Sequence, residues 1–450
     1  MAERNPNDRR LSAAPGIVFA FLLASCAVTL QSQSTSPAAQ VPPAPMESGA
    51  NVYKELMQPL DQVRSSLDNW SPAELAALAA GIRRAQQYCE QVAPGSIGGD
   101  DLYQLARICT FGQQWNAADA AASAYIKSAA QPYQARVYAI RVNALLNLKD
   151  TTMAIEVARS MLHSVPYDAT VDQSMAYLIH YLAMSLDDGA LPLARERQPF
   201  LLTAIRSGGD LQEQPGNLSN GASIGTGIGT AALYDEGLEL AYLEQYAGRR
   251  NDAEQARAAL DAALAKVPAE KIDNRAEVER ARAQYALLGE KLPAIHILPY
   301  AAPGYPRPRI NPDHGAATVL LLFPEWCAQC RKMMQPLNDF LGRNNAAGIH
   351  TYGVLALDAE ETATDPFQGD RVGDRFKDLL HTPTLTTPSA TLESFGAVTF
   401  PFVVITDGAG RIRFLGAVAQ NAFDAGGFVE QVVERNLHGT ASKGTPSASH

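Results

Sequence analysis

The feature that most constrains this chain is a run of strand-forming residues, 318–323 (TVLLLF), that empties directly into Pro324-Glu325-Trp326-Cys327-Ala328-Gln329-Cys330. A continuous apolar run of strand length marks a strand buried on both faces, which calls for a mostly parallel sheet covered by helices. An amphipathic helix follows through Met333, Leu337 and Phe340, so the two cysteines sit at its start. There the first thiol, Cys327, meets unpaired backbone N–H groups and the positive end of the helix, and both favour its thiolate. An ordinary thiol with a pKa near 8.5 is only about 3% ionised at pH 7; lowering the pKa to about 7 ionises roughly half. Cys330, one helical turn on, stands behind Cys327 and can resolve a mixed disulfide.

Further along, residues 349–357 read as a second strand and about 370–380 as a helix. Residues 402–405 and 412–417 form a hairpin across Thr406-Asp407-Gly408-Ala409-Gly410, and about 428–437 closes the domain as a helix. Phe400-Pro401 heads the third of these strands, about 70 residues beyond the cysteines. This order of strand, Cys-x-x-Cys, proline-headed strand and hairpin resembles the thioredoxin fold. The stretch 394–401 (SFGAVTFP), with the hairpin turn 407–411, resembles bacterial extracytoplasmic thioredoxin-like proteins of the TlpA/ResA type. The resemblance covers about 145 residues, a third of the chain. It implies an α/β thioredoxin-like domain over 291–438, with a cis-proline loop at Pro401 beside the dithiol. It also implies that Trp326, Phe400 and Pro401 flank the dithiol and hold the substrate backbone. The direction it implies is reduction of protein disulfides by Cys327 and Cys330, fed by a membrane electron donor, with no organic cofactor and no metal.

Other readings of the pair are weaker. A zinc site needs a second Cys or His pair at ligand spacing, and none follows; the eight histidines are scattered. Two positions depart from the family. Leu321 stands six residues before Cys327, where thioredoxin holds a buried acid, and Met333 stands six after, where the TlpA/ResA group often has Glu. Glu325, Asp358 and Glu360 are the carboxylates offered in their place as proton acceptor. Known dithiols span roughly −270 to −120 mV, and Ala328-Gln329 does not place this one within that range. Reductant, oxidant and isomerase therefore stay open on the residues alone.

The N-terminus reads as an export signal: Arg4, Arg9 and Arg10, then an apolar stretch over 11–24, too short for a spanning helix. It ends in Leu23-Ala24-Ser25-Cys26, which resembles the lipobox of bacterial lipoproteins. The resemblance implies loss of residues 1–25 and lipidation of Cys26. Ala27 follows where Asp would signal inner-membrane retention, which favours a lipid anchor in the outer membrane of an extracytoplasmic, periplasmic protein. Residues 26–50 are poor in large apolar side chains and should form a flexible tether of about 25–30 Å. Acylation would leave four of the five cysteines to pair.

Residues 51–290 read as helix after helix. Ser71-Pro72-Ala73-Glu74 is a helix start, with a hydroxyl cap, proline at the first position and an early acid. Ala120, Ala124 and Pro132 recur as Ala154, Ala158 and Pro166, a shift of 34 residues that resembles tetratricopeptide (TPR) repeats; a generic helical bundle also fits. Cys89 and Cys109 lie near the facing ends of two helices, which favours a structural disulfide over two buried free thiols. The Gly-rich stretch 207–230 lacks the preceding strand that a phosphate cradle needs and reads as a surface loop. Six prolines between 293 and 312 mark an extended connection between domains, and 439–450 reads as a disordered tail. The net charge of −10, without clustered Lys and Arg, excludes general nucleic-acid binding.

These readings make the chain an exported thiol-disulfide oxidoreductase whose helical domain binds a partner. The rival is a scaffold lipoprotein in which the redox domain is regulatory or vestigial.

Overall fold

The computed structural model describes residues 49–64, 71–128, 132–185, 187–212, 227–298, 317–324, 326–327, 330, 348–357 and 384–417. Cys26, nearly all of the tether, Glu325, residues 331–347 with Met333, Asp358, Glu360, the helices expected at 370–380 and 428–437, and the tail lie outside these residues.

Among the described residues up to 286 the structure is mainly helical. The helices are α1 (Gly49–Val63), α2 (Pro72–Gln91), α3 (Asp100–Phe111), α4 (Trp115–Lys127), α5 (Gln134–Asn147), α6 (Thr151–Ser164), α7 (Ala169–Met184), α8 (Ala190–Arg206), α9 (Thr230–Tyr246), α10 (Arg250–Leu264) and α11 (Arg275–Ala286). No described helix is long and apolar enough to cross a membrane. At the start of α2, Ser71 Oγ accepts from the Glu74 N–H at 3.2 Å and Glu74 Oε2 accepts from the Ser71 N–H at 2.6 Å. This reciprocal capping box satisfies two of the orphan donors of the helix end. Cys89 of α2 and Cys109 of α3 form a disulfide with their Cα atoms 5.6 Å apart, inside a core cluster shared by α1–α5.

The helices repeat as hairpins, and one backbone device makes each turn. The N–H of Gln114 bonds Cys109 O, that of Asp150 bonds Leu145 O, that of Asp187 bonds Leu182 O, and that of Arg249 bonds Glu244 O, all at 2.8–2.9 Å. Each bond reaches back five residues and closes the first helix of a pair (α3/α4, α5/α6, α7/α8, α9/α10), as in a Schellman cap. Gln113, Lys149 and Gly248 take the left-handed conformation that such a cap requires. Gln114 and Asp150 are 36 residues apart, so the register differs from the 34-residue shift read in the sequence. Ala154 and Ala158 are buried whereas Ala120 is exposed; the buried counterparts in α4 are Ala118 and Ala122. Contacts run from α3 to α5, α7, α9 and α11 in succession, making one layer of the array.

The core of α7–α9 carries a buried ion cluster that periodicity could not show. Arg197, 3% exposed, bonds Asp172 at 2.6 Å and also pairs with Glu236, while Tyr167 hydroxyl donates to Asp172. Burial, with the Asp172 carboxylate nearby, pushes the Glu236 carboxyl up to about 8 from an ordinary 4.5.

The described residues of the C-terminal part hold a five-stranded mixed sheet: β1 (Ala317–Pro324), β2 (Ile349–Leu357), β3 (Thr384–Pro388), β4 (Phe402–Asp407) and β5 (Ile412–Ala417), with the short helix α12 (Ala390–Ser394) after β3. The order is β3-β2-β1-β4-β5, with β1–β2 and β2–β3 parallel and β1–β4 and β4–β5 antiparallel. β1 is buried along its whole length, as the run 318–323 requires of a central strand. The strand β3, rich in Thr, was not foreseen.

The expected connection after the helices does not stand free where it is described. Gly289 N–H bonds Ile412 O, Ile412 N–H bonds Glu290 O, and Leu292 N–H bonds Gly410 O, each at 2.8 Å, at the start of β5. Six residues later Leu298 N–H bonds Thr386 O at 2.8 Å, on the outer edge of β3 at the opposite end of the sheet. Between these points Leu292 and Ile295 pack on the sheet core, together with Leu287 and Leu288. Residues 287–298 are thus a strap across one face, and they pair with backbone groups of β5 and β3. Pro293 disfavours helix here, and an extended strap needs none.

Two outcomes follow for stability. Glu236 keeps a proton in the fold that the unfolded chain releases near pH 4.5, so its contribution is full below that pH and is lost as pH rises through about 8. Urea midpoints of Glu236→Gln should therefore lose less than those of the natural chain between about pH 5 and pH 8. Arg197→Met should cost about 3–5 kcal/mol at neutral pH, because Asp172 is left buried without its guanidinium.

Candidate active site

The sheet register brings the two sequence-distant parts of the site together. β1 ends at Pro324, opposite Ala356 of β2, so Trp326 and Cys327 lie just past its C-terminal end. β4 runs antiparallel to β1 with Leu322 opposite Phe402, so Phe400 and Pro401 arrive at that same end. The Phe400–Pro401 peptide is cis. The Trp326 ring meets the Phe400 ring edge-on, 5.8 Å between centroids with planes at 85°. Such a pair contributes about 0.5–1.5 kcal/mol beyond its buried area. It joins the dithiol turn to the proline loop.

Cys327 and Cys330 form a disulfide with Cα atoms 5.4 Å apart. The Cys330 N–H donates to Cys327 Sγ at 3.2 Å. On reduction, a bond of this kind favours the thiolate of Cys327 over its thiol. The sulfurs are not equivalent: Cys327 is 6% exposed at the rim, and Cys330 is 0% exposed. Two large apolar side chains stand in solvent on the segments that meet here, Trp326 at 72% on the dithiol turn and Val398 at 62% two residues before Phe400. Exposed apolar groups clustered about a reactive group mark a surface that another chain covers.

The loop after α12 is shaped by a glycine. Gly396 has φ +65°, and the Ala397 N–H reaches back to Leu392 O at 2.9 Å, so the helix closes in a left-handed cap. Phe395 is fully buried, which fixes the loop to the sheet core before Val398 and Phe400 emerge.

The remaining sequence-predicted residues fall elsewhere. Cys89 and Cys109 belong to the α1–α5 core and not to the sheet core. Leu321 is 2% exposed, opposite Gly353 of β2 and Val403 of β4, on the other face of β1 from Leu320 and Leu322. β1 therefore brings no carboxylate beneath the dithiol, and Glu325, Asp358 and Glu360 are outside the described residues. Among the described residues no group of three His, Cys, Asp or Glu side chains is placed to hold a metal ion. Sequence reading missed Arg280 and Gln284 of α11, which touch the Gly396 turn; no local pattern marks a contact across more than a hundred residues.

No protein-family model matches the chain, and no curated protein matches it. Several solved structures are similar to part of it. The thioredoxin domain of thiol-disulfide oxidoreductase BVU-2223 from Bacteroides vulgatus is 19% identical, over 27% of this chain and 81% of that one, with a TM-score of 0.22. A thiol:disulfide interchange protein from Bacteroides sp. is 19% identical, over 36% of this chain and 97% of that one, with a TM-score of 0.24. The hypothetical protein SMc02350 from Sinorhizobium meliloti 1021 is 19% identical, over 36% and 88%, with a TM-score of 0.28.

The unequal burial of the two sulfurs has a direct readout. After reduction and a brief pulse of iodoacetamide, peptide mass spectrometry should find Cys327 alkylated and Cys330 largely unmodified. Equal labelling of both would contradict the arrangement.

Proposed function

We propose that this protein is an extracytoplasmic thiol-disulfide oxidoreductase that reduces disulfides in other proteins. The observation that carries the reading is the dithiol at the end of β1: Cys327, next to the exposed Trp326, keeps a slight exposure, and Cys330, bonded to it, is fully buried. A nucleophile must meet the substrate, and a resolving thiol must meet only the nucleophile.

In the reduced protein the Cys327 thiolate attacks one sulfur of a substrate disulfide. A mixed disulfide forms, and the other substrate sulfur leaves as a thiolate that takes up a proton. Cys330 then loses its proton and attacks Cys327 Sγ. The second substrate sulfur leaves, and the protein disulfide is regenerated. Two electrons pass to the substrate in each turn, so an external dithiol donor, of the membrane-bound kind, must reduce Cys327–Cys330 again. β1 carries Leu321 where an acid would serve, and Glu325, Asp358 or Glu360 would take the proton from Cys330 in its place. Phe400 and Pro401 would hold the substrate backbone beside Cys327. The helical hairpins, read as TPR-like, would bind a partner, and lipidation of Cys26 would tether the protein in the periplasm.

Cys327→Ser should abolish reduction of a protein disulfide, while Cys330→Ser should accumulate a mixed disulfide with substrate, seen as a dithiothreitol-sensitive band on non-reducing gels. A reduction potential near −270 mV supports the reductase; a value near −120 mV would reverse the direction to oxidation. A pair that does not cycle in redox buffers would remove the enzymatic reading and leave the helical scaffold.

A further inference from the structure

The loop that carries the apolar rim is held at two ends by two different parts of the protein. Downstream, Pro401 leads into β4, whose Phe402 is paired with Leu322 of β1. Upstream, the Gly396 turn meets α11. Arg280 Nη1 approaches Gly396 O at 3.5 Å, and a Cβ at Gly396 would lie 3.0 Å from Gln284 Cβ. The helix and the loop backbone are therefore in van der Waals contact, which a side chain at Gly396 would disturb. The guanidinium is itself held in place, since its Nη2 donates to Asp235 of α9 at 3.2 Å and its Nη1 lies 3.4 Å from Gln284 Oε1. α11 is seated on the helical core through Val278, Ala281 and Tyr285. A line of contact thus runs from α9 through Arg280 to Gly396, two residues before the exposed Val398 and four before Phe400.

We propose that Arg280 is a positioning residue for protein substrates: through Gly396 it fixes the Val398–Pro401 loop beside Cys327, so that the helical array sets the substrate-holding rim. The inference rests on the oxidoreductase reading above. Arg280 touches neither sulfur, so the chemistry of the dithiol does not depend on it. The placement of an extended substrate segment does, and a displacement of about 1 Å can cost one or two orders of magnitude in rate. A small disulfide that needs no rim is indifferent to the loop.

The test uses the full chain with two probes, insulin as a protein disulfide and oxidised glutathione as a small one. Arg280→Ala should raise KM for insulin about tenfold with kcat within about twofold, and leave both the glutathione rate and the reduction potential unchanged. Arg280→Lys should recover part of the loss, because a single ammonium reaches either Asp235 or the Gly396 carbonyl but does not span them as a fork does. Asp235→Asn, which leaves α11 and the loop intact, should move KM for insulin in the same direction by a smaller factor, and it decides the matter if Arg280→Ala does not fold. An unchanged KM for insulin in the folded variants overturns the positioning role while the oxidoreductase reading stands. Equal loss on both probes overturns it too, since the effect would then lie in the dithiol. If the natural chain reduces neither probe, the oxidoreductase reading fails, and the positioning role with it.

Discussion

The strap formed by residues 287–298 ties the two halves of this protein into one packed body. Its backbone bonds the start of β5 at one end of the sheet and the outer edge of β3 at the other, and its leucines and isoleucine lie on the sheet core between. Unpaired edge groups and an uncovered apolar face are both costly, and one short segment settles both. Because the strap leaves directly from α11, the last helix of the array sits against the loop beside the dithiol. The contact of Tyr246 on α9 with Phe414 on β5, 5.7 Å between centroids, belongs to the same junction.

Within that frame the site is a matter of register. β1 and β4 are antiparallel neighbours, so the end of one strand and the start of the other must meet. The sequence places a dithiol after the first and a proline before the second. The edge-on pair of Trp326 and Phe400 then closes the gap between two segments more than seventy residues apart. Both cysteines are buried, Cys330 completely and Cys327 slightly less so. β1 itself carries no acid beneath the dithiol: Leu321 is buried between Gly353 and Val403 of the neighbouring strands.

The helical half is held by simpler means. A single backbone turn, repeated in four hairpins, sets the angle at which each pair packs, and small residues such as Ala118, Ala154 and Ala158 let the helices approach. The Arg197 cluster is an expensive element among the described residues. There burial, then the neighbouring Asp172 carboxylate, drives the carboxyl of Glu236 toward its neutral form against the pull of Arg197.

Much of this was legible in the residues themselves. The run 318–323 pointed to a buried central strand because a strand covered on both faces accepts apolar residues at every position. The capping box at Ser71, the strand at 349–357 and the hairpin around Asp407-Gly408 depend only on near neighbours, and local chemistry suffices to read them. The repeat was read in the wrong register because alanine is common on every face of these helices, and only burial tells one alanine from another. Three features were decided by tertiary structure alone: the strap over the sheet, the Arg197 cluster, and the contact of Arg280 with Gly396. Each joins residues far apart in sequence through backbone carbonyls or single charged groups, which leave no periodic trace. Sequence determines what each segment can bury; which distant segments bury it together is settled only when the chain is folded.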